Sequence, residues 1–151
     1  MTEVRLEPMT ADQYKPWRAD AEAHYTRSVI ATGRTPQDAA REAAETYTRL
    51  LPDEAATPGH HIWHAYDGNR RIGFLWVKVT DQEAFVYNVA VEPGLRRQGY
   101  GRAIMQAAER WCHANAITRI GLRVFAHNTG ARSLYEELGY VETSRNMAKD
   151  L

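Results

Sequence analysis

A turn with three glycines and two adjacent arginines lies within residues 92–111, EPGLRRQGYGRAIMQAAERW, between an apolar run and an amphipathic helix. Glycine permits positive φ angles and lets a ligand approach the main chain closely. The helix that follows adds unpaired N–H groups and the positive end of its dipole. The pattern predicts a cradle for a phosphate or pyrophosphate, to which Arg96, Arg97 and Arg102 add positive charge. A tight turn with solvated arginines is the alternative interpretation.

Two common phosphate-binding motifs do not fit this glycine turn (residues 92–101). Gly94 and Gly99 have the spacing of a P-loop, but Tyr100 and Gly101 stand where lysine and serine or threonine are required. A dinucleotide fingerprint also starts at Gly99, but Ile104 occupies its third glycine position, and no acidic residue ends a strand about 20 residues later. Nucleoside triphosphate hydrolysis and dinucleotide binding are therefore disfavoured.

A second motif, NTGARSLYEELGY at residues 128–140, follows the glycine turn. The ordered pair, R-x-x-G-x-G at residues 96–101 and N-x-x-A-x-x-L-Y-x-x-L-G-Y at residues 128–140, resembles the GNAT superfamily of acetyl-coenzyme A-dependent N-acetyltransferases. The resemblance is close over about residues 72–141, and the N-terminal part matches only in the order of its elements. Asn128 and Gly139 would also serve as a helix cap and a helix stop, which is the structural interpretation of the same motif.

Hydrophobic periodicity predicts the elements that position these motifs. A first strand in EVRLEPM precedes two helices, and the first helix has a capping box of Thr10 and Gln13. Because Pro16 conflicts with a helix interior, we expect the regular helix to begin there rather than at Ala11. Thr35 caps the second helix. Its apolar stripe is expected to comprise Ala40, Ala43, Ala44, Tyr47 and Leu51.

The remaining strands and helices are expected at residues 60–67, 71–80, 83–93, 101–114, 117–126, 129–139 and 140–148. The order is βααβββαβαβ, an α/β three-layer fold with a central mixed sheet, whose strand–helix–strand unit implies parallel pairing. The GNAT resemblance implies in addition that the sheet is splayed between its fourth and fifth strands. We expect one domain, residues 1–151, with a cofactor core at about 72–141 and acceptor-side helices at about 10–51.

The resemblance implies that acetyl-coenzyme A is bound and coenzyme A is released. In the family the pantetheine arm enters the gap between the splayed strands and pairs with main chain, which by position falls on residues 89–91. The pyrophosphate would rest on the N–H groups of residues 97–102, and α-helical residues after Asn128 would line the cofactor. The implied cofactor-binding residues are Val89, Ala90, Val91, Arg96, Arg97, Gln98, Gly99, Tyr100, Gly101, Arg102, Asn128, Ala131, Ser133 and Tyr135.

Tyr135 matches the family's general acid. Acetyl transfer to an amine expels a thiolate whose conjugate acid has a pKa of about 8.5, and a tyrosine with a pKa of about 10 can hydrogen-bond to it or protonate it. General acid catalysis of this kind is typically worth about 10²–10⁴-fold. The alternative is an aromatic residue at the edge of the core stripe of Ala131, Leu134 and Leu138.

The general base is not identified by the sequence. An amine with a pKa of about 10.4 is neutral in roughly one molecule in a few thousand at pH 7, so its proton must be accepted. Many GNAT relatives carry an acidic residue at the position of Tyr87, and this sequence departs from that pattern. The catalytic candidates besides Tyr135 are therefore Glu83 and Tyr87, with Asn88 and a water, His60, His61 or His64 as other routes.

Composition limits the partners. The 151 residues include 19 basic and 19 acidic residues, which gives no electrostatic reason to expect nucleic-acid or membrane-surface binding. No apolar stretch has the length of a signal peptide or a membrane span. The single cysteine, Cys112, suits a reducing compartment and is expected to be a buried structural thiol. We expect a cytoplasmic protein, and no metal site.

Together these features predict an N-acetyltransferase that acts on a primary amine of a small molecule by direct attack. The alternatives are acetylation of a protein N-terminus or lysine and, outside catalysis, an acyl-coenzyme A-binding sensor. We expect the residues that select the substrate to lie in the first two helices and their loop. Most aromatic residues of these helices, such as Tyr14, Trp17 and Tyr25, share one stripe and are expected in the core. Exposed strand edges are compatible with a homodimer.

Overall fold

The structure, a computed structural model, describes residues 3–151, in which one five-stranded sheet is accompanied by four α-helices. None of the helices in this described part is both long and apolar enough to cross a membrane. The elements are β1 (Arg5–Pro8), α1 (Ala11–Ile30), α2 (Pro36–Leu50), β2 (His60–Asp67), β3 (Arg70–Thr80), β4 (Glu83–Val91), α3 (Tyr100–Ala114), β5 (Arg119–Leu122) and α4 (Thr129–Glu137).

The strands follow one another across the sheet in chain order, β1-β2-β3-β4-β5. The first four are antiparallel, and β4 pairs with β5 in parallel, as the strand–helix–strand pattern predicted. The parallel pairing runs only from Glu83 to Val86 of β4 and leaves the rest of this strand, up to Val91, without a β5 partner in the described chain. The splay expected between the fourth and fifth strands is therefore present, and we call this opening the β4–β5 gap.

Helices cover both faces of the sheet and give the predicted three layers. On one face, Ile104 and Ala108 of α3 pack with Ile72 and Leu75 of β3 in a core that also includes Tyr135 of α4. On the other face, an aromatic core holds α1 and α2 against the sheet; its buried aromatic members are Tyr14, Trp17, Tyr47 and Trp76. Cys112 is buried in the first core, as predicted.

Helix α1 begins at Ala11, so the expected start at Pro16 is wrong. The predicted capping box is present: Gln13 N donates to Thr10 Oγ1 at 3.3 Å, and Thr10 N donates to Gln13 Oε1 at 2.9 Å. This reciprocal pair stabilises the first turn, and the buried Trp17 anchors the second. Pro16 then removes only one hydrogen bond near the helix start, which the helix tolerates.

Helix α2 is capped by Thr35, whose Oγ1 accepts from Asp38 N at 3.2 Å. Its buried face is formed by Ala39, Ala43 and Tyr47, whereas Ala40, predicted in the stripe, is exposed. The i, i+4, i+8 series from Ala39 faces α1 and the sheet, and Ala40 lies one position outside it.

The predicted last strand is absent. In the described chain no strand follows α4, and residues 141–151, which we call the C-terminal tail, are exposed throughout. The preceding strand is also shorter than predicted, because β5 ends at Leu122 and Phe125 turns towards the Tyr25 ring, 6.4 Å away. Of the large apolar residues in the predicted strand, Tyr140 packs against the core under α3, and Val141 and Met147 alone would bury little further surface on this chain.

Gly73 of β3 lies where the sheet has no room for a side chain: a Cβ there would be 2.1 Å from Ala90 O and 3.1 Å from Ile104 Cδ1. We expect Gly73→Ala to lower the free energy of unfolding by about 1–3 kcal/mol, the usual cost of overpacking. Urea denaturation measures the difference. Gly130→Ala, at a helical position where a Cβ meets nothing within 4 Å, is the control and should not destabilise the protein. Equal stability of the two variants would contradict the close packing at Gly73.

Candidate active site

One extra residue in β4 interrupts its pairing with β3. Trp76 lies opposite Asn88 and Val77 lies opposite Val86, so that Tyr87 has no residue opposite it. Such a β-bulge bends a strand and increases its local twist. The bulge directly follows Val86, the last residue of β4 that pairs with β5. The β4–β5 gap therefore begins at the bulge.

The bulge places two consecutive side chains on the sheet face that α1 and α2 cover. The ring of Tyr87 stacks on Trp76 with centroids 4.9 Å apart, and Asn88 Nδ2 donates to Tyr47 Oη at 3.5 Å. In a regular strand, neighbouring side chains would point to opposite faces. The candidate site thus has a phenol and an amide side by side at the entrance to the gap.

The main chain of β4 beyond the bulge offers polar groups to the gap. Glu92 N donates to Ile72 O at 2.8 Å, and hydrogen-bonded pairs alternate along an antiparallel ladder. Ala90, opposite Phe74, therefore directs its N–H and C=O towards β3, whereas those of Val89 and Val91 face the gap. Val91 O already accepts from Arg96 Nε at 3.3 Å. Of the three residues expected to pair with a pantetheine arm, two have main-chain groups that point the right way.

The glycine turn presents its N–H groups at the start of α3. Gly99 is the N-cap residue with φ +84°, and Arg97 also has a positive φ of 63°. The first N–H of the helix to find an acceptor is that of Ala103, which donates to Gly99 O at 3.1 Å. Within residues 3–151, the N–H groups of residues 97–102 have no acceptor. This row of donors, together with the helix dipole, is suited to an anion.

The side chains of the glycine turn and of the first turn of α3 make different contacts. Arg96, Arg97 and Gln98 are exposed. Tyr100 Oη donates to Asp67 Oδ2 at 2.6 Å, which ties the start of α3 to the β2–β3 hairpin and raises the pKa of this tyrosine. The guanidinium of Arg102 pairs with Glu137 of α4. Positive charge at the cradle therefore comes from Arg96 and Arg97, while Arg102 links the two helices.

Helix α4 lies close to the start of α3, so the two sequence motifs are neighbours in space. A Cβ on Gly101 would lie 3.3 Å from Leu134 Cδ2. Asn128 caps α4, with its Oδ1 accepting from Ala131 N at 3.3 Å, as its structural interpretation predicted. Ala131 is partly buried and Ser133 is exposed.

Tyr135 is partly buried in α4, with its ring 5.9 Å from that of Tyr140. Burial raises the pKa of Tyr135 above the ordinary tyrosine value. Its hydroxyl therefore keeps its proton at neutral pH, which suits a proton donor. The edge-of-core position predicted for this residue is also what the structure shows, since Tyr135 packs against the α3-side core.

The candidate bases differ in their distance from the gap. Glu83 is the first residue of β4, lies opposite Arg119 and is exposed. Six residues of extended strand, about 20 Å, separate Glu83 from Val89. Tyr87 and Asn88 are instead at the bulge where the gap begins. Tyr87 therefore lies at the entrance of the gap, whereas Glu83 lies further along a groove that both residues line.

His60 has no free acceptor nitrogen for a substrate proton. Its Nδ1 accepts from Trp76 Nε1 at 2.9 Å, so the neutral ring carries its proton on Nε2. Burial, and then the charge of Lys78, lower its pKa to about 4. Although the ring is 5.7 Å from Tyr87, it is neutral at pH 7 and serves as a hydrogen-bond acceptor for the indole.

The other two histidines of β2 lie away from the β4–β5 gap. His61 stacks on Trp63 with centroids 5.6 Å apart and contacts Trp111 of α3 at 4.9 Å. His64 is buried, and its Nδ1 has no partner within the described residues. Burial lowers the pKa of both histidines. Neither is placed to accept a substrate proton beside Tyr87.

An aromatic rim at the gap was missed by the sequence analysis. Tyr25 of α1 contacts Tyr47 of α2 at 6.2 Å between ring centroids, and Phe125 of the β5–α4 loop at 6.4 Å. Phe125 was assigned to a strand, and only the tertiary fold shows that it meets α1. Tyr14 and Trp17 are buried, as predicted for the core stripe. The side of the gap that α1 and α2 cover is therefore bordered by tyrosine and phenylalanine rings.

Comparison with known proteins identifies the family. The sequence model of the acetyltransferase (GNAT) family matches residues 17–140. The uncharacterized N-acetyltransferase YycN of Bacillus subtilis is 32% identical over 98% of this chain and 99% of its own length. Its crystal structure matches 98% of both chains with a TM-score of 0.92.

Two further proteins show a more limited similarity. A ribosomal protein bS18-alanine N-acetyltransferase of Escherichia coli is 35% identical over 71 residues, 47% of this chain and 48% of that protein. The PaiA N-acetyltransferase of Thermoplasma acidophilum, solved in complex with coenzyme A, shares the fold at 15% identity, with a TM-score of 0.73 over 95% of this chain and 93% of its own. By its family match and its full-length relative, this chain belongs to the GNAT family of N-acetyltransferases, enzymes that take their acetyl group from acetyl-coenzyme A.

Proposed function

We propose that the protein acetylates a primary amine of a small molecule by direct attack of the amine on acetyl-coenzyme A. The observation that carries the proposal is the continuity of the β4–β5 gap. The gap starts at the bulge beside Tyr87, continues along the inward-facing main chain of Val89 and Val91, and leads to the unpaired N–H groups of residues 97–102. A thioester carrier with polar amides at one end and a pyrophosphate at the other fits this sequence of groups.

The residues present fit acetyl-coenzyme A. When bound, it supplies an acetyl group already activated as a thioester. The N–H groups of residues 97–102 and the exposed Arg96 and Arg97 would hold its pyrophosphate. The main-chain groups of Val89 and the N–H of Val91 would pair with its pantetheine amides, while Val91 O would do so only by giving up its bond from Arg96 Nε. Ala131 and Ser133, on the first turns of α4 after its cap Asn128, would border it.

Tyr135 would act as the general acid. In the proposed reaction the amine nitrogen forms a bond to the acetyl carbon, and the carbon–sulfur bond breaks. Tyr135 Oη, which is protonated at neutral pH, then donates its proton to the sulfur as the carbon–sulfur bond breaks. The amine loses one proton to a water at Tyr87 and Asn88, and Tyr135 regains one from solvent. Glu83, exposed at the far end of β4, would take part only through a chain of waters.

A second candidate is acetylation of a protein N-terminus. It is favoured by the similarity over 71 residues to an enzyme named for acetylating the alanine of a ribosomal protein. A peptide acceptor requires an open groove on the acceptor side of the gap. The aromatic rim of Tyr25, Tyr47 and Phe125 offers the better fit to a compact amine, because closely spaced rings leave little room for an extended chain.

Replacement of Gly99 tests the cradle. The φ of +84° strains any residue with a side chain, so Gly99→Ala should disturb the N–H row and raise the Kd for acetyl-coenzyme A on the order of tenfold. Isothermal titration calorimetry measures this change. Gly94→Ala is the matched control, because Gly94 lacks a positive φ and a Cβ there meets nothing within 4 Å; its Kd should equal that of the wild type. Equal affinity of both variants would remove the cradle from the proposal.

A panel of acceptors tests the reaction itself. Thiol release from acetyl-coenzyme A is followed with amino acids, polyamines and other small amines, and with short peptides that have a free N-terminus or a lysine. We expect kcat/KM to be at least about tenfold higher for the best small amine than for the best peptide, a difference of about 1.4 kcal/mol in transition-state binding. A preference for peptides would select the second candidate, and tight cofactor binding without thiol release from any acceptor would contradict acetyl transfer.

Tyr135→Phe tests the general acid. Loss of the hydroxyl should lower kcat about 10²–10⁴-fold while the Kd for acetyl-coenzyme A changes little, because the ring still packs against the same core. Tyr140→Phe is the control: this neighbouring hydroxyl donates to Glu109 at 2.9 Å and has no assigned role in proton transfer. Steady-state kinetics and calorimetry are measured on both variants. An unchanged kcat for Tyr135→Phe would exclude the acid role.

A further inference from the structure

The β4–β5 gap opens between Tyr87 and Arg123. The last parallel pair of the two strands is Val86 opposite Leu122, so Tyr87 and Arg123 are the next residues on either side. β5 ends at Leu122, and Arg123 is the first residue of the loop that leads to α4. A molecule that enters the gap at Tyr87 therefore passes between these two residues.

The side chain of Arg123 is directed to the sheet face that α1 and α2 cover. Leu122 packs into the core on the opposite face, under α3. A Cβ on Gly121 would instead lie 3.7 Å from Phe85 Cδ1, and the Phe85 ring contacts the Tyr87 ring at 5.1 Å. Because residues two positions apart in an extended chain share a face, Arg123 follows Gly121 to the side of Tyr87.

Two observations at α1 agree with this direction. The ring of Phe125, two residues after Arg123, lies 6.4 Å from the Tyr25 ring. Burial and the charge of Glu42 raise the pKa of Tyr25, whereas the charge of Arg123 lowers it. A charge has this effect on a hydroxyl only when the two groups are close. The guanidinium of Arg123 therefore lies between the aromatic rim and the entrance of the gap.

Arg123 has no carboxylate partner. It is exposed, and within residues 3–151 it forms no salt bridge. Glu42 acts on the same Tyr25 hydroxyl, but this carboxylate already lies 3.9 Å from Arg34. Arg49 of α2 brings a further positive charge to Tyr25. The charged groups at the aromatic rim thus leave an excess of positive charge on the side from which the acceptor amine would enter.

We propose that the acceptor amine carries an anionic oxygen group, a carboxylate or a phosphate, which pairs with Arg123 while the amine lies beside Tyr87 and Asn88. The inference rests on the proposed acetyl transfer and narrows its acceptor to amino acids and other anionic amines. A guanidinium donates two parallel N–H bonds to such a group. Neighbouring strands are about 4.8 Å apart where the gap begins, so one small molecule can reach both sides.

The same charges disfavour a polyamine. The second ammonium group of a polyamine would lie near Arg123 and Arg49, and like charges at such a site lower affinity. Arg123 is therefore expected to select between two classes of small amine that are otherwise similar in length and flexibility.

Amino acids compared with their carboxamides test the pairing. Thiol release from acetyl-coenzyme A is measured for each pair, and ethanolamine phosphate with ethanolamine forms a second arm that distinguishes phosphate from carboxylate. Arg123→Gln should lower kcat/KM for the anionic acceptors at least about tenfold more than for the neutral ones. Comparison of variant with wild type removes the effect of the amine pKa, which differs within a pair.

Arg119→Gln is the matched control. Arg119 is exposed on the same strand face, about 13 Å before Arg123, so this variant should keep the wild-type preference. Arg123→Glu should reverse the preference and favour a diamine over the amino acid of matching length. A purely structural role of Arg123 would lower kcat/KM equally for both members of each pair, which would contradict the proposal.

Binding separates a failure of this inference from a failure of the proposed reaction. On protein saturated with coenzyme A, where no acetyl group is available, calorimetry gives the Kd of each anionic acceptor and of its neutral partner. Tighter binding of the anion that is lost in Arg123→Gln would support the pairing, even if the absence of thiol release contradicted acetyl transfer. An anion that is neither bound nor turned over better than its neutral partner would overturn the inference, and thiol release from both would leave the proposed reaction intact.

Discussion

The structure depends on a single irregularity in hydrogen bonding, the point at which β4 stops pairing with β5. Parallel pairing ends at Val86, and the next residue, Tyr87, is the one that β4 has in excess over β3. An extra residue twists the strand away from its neighbour, so the bulge and the gap have one physical origin. In a continuous sheet the main-chain groups of Val89 and Val91 would bond to β5. In the gap they face a ligand instead.

The candidate site also requires that the glycine turn keeps its position relative to the β4–β5 gap, and α3 provides this. Its N-terminus carries the N–H row of the glycine turn, and three contacts hold that N-terminus in place. Tyr100 bonds to Asp67 of the β2–β3 hairpin, Arg102 pairs with Glu137 of α4, and Gly101 allows Leu134 to approach. The sequence predicted that Arg96, Arg97 and Arg102 add charge at an anion site. In the structure Arg102 pairs with Glu137 and positions α4, whereas Arg96 and Arg97 are exposed at the glycine turn.

Sequence patterns were sufficient for features that depend on local structure. The capping box at Thr10, the cap of α2 at Thr35 and the parallel β4–α3–β5 unit follow from residue type and spacing. Features that depend on contacts between different helices and strands were not predictable from the sequence. Whether α1 tolerates Pro16 depends on the packing of Trp17 against the aromatic core, which the helix sequence alone does not show.

The same limit applied within the site. That Tyr87 and Asn88 share a face follows from the bulge, which the apolar sequence of β4 does not signal. The neutral state of His60 depends on its burial and on the charge of Lys78, a residue on another strand. The rim formed by Tyr25 and Phe125 joins a helix to a loop 100 residues away in the sequence. Each of these is a cross-element contact, and no periodicity within one element encodes it.

The surroundings of the gap constrain how a substrate amine can lose its proton. On the α1/α2 side, Glu22 pairs with Arg18 at 3.1 Å and Glu42 lies 3.9 Å from Arg34, so both carboxylates are already matched by arginines. His60 is neutral, with its acceptor nitrogen in use, and Glu83 is at the far end of β4. Beside Tyr87 and Asn88, an ammonium group would therefore meet aromatic rings and an amide. For the proposed reaction, the amine must arrive neutral or release its proton through water at Tyr87 and Asn88, and an acceptor of lower pKa is favoured because a larger fraction of it is neutral at pH 7.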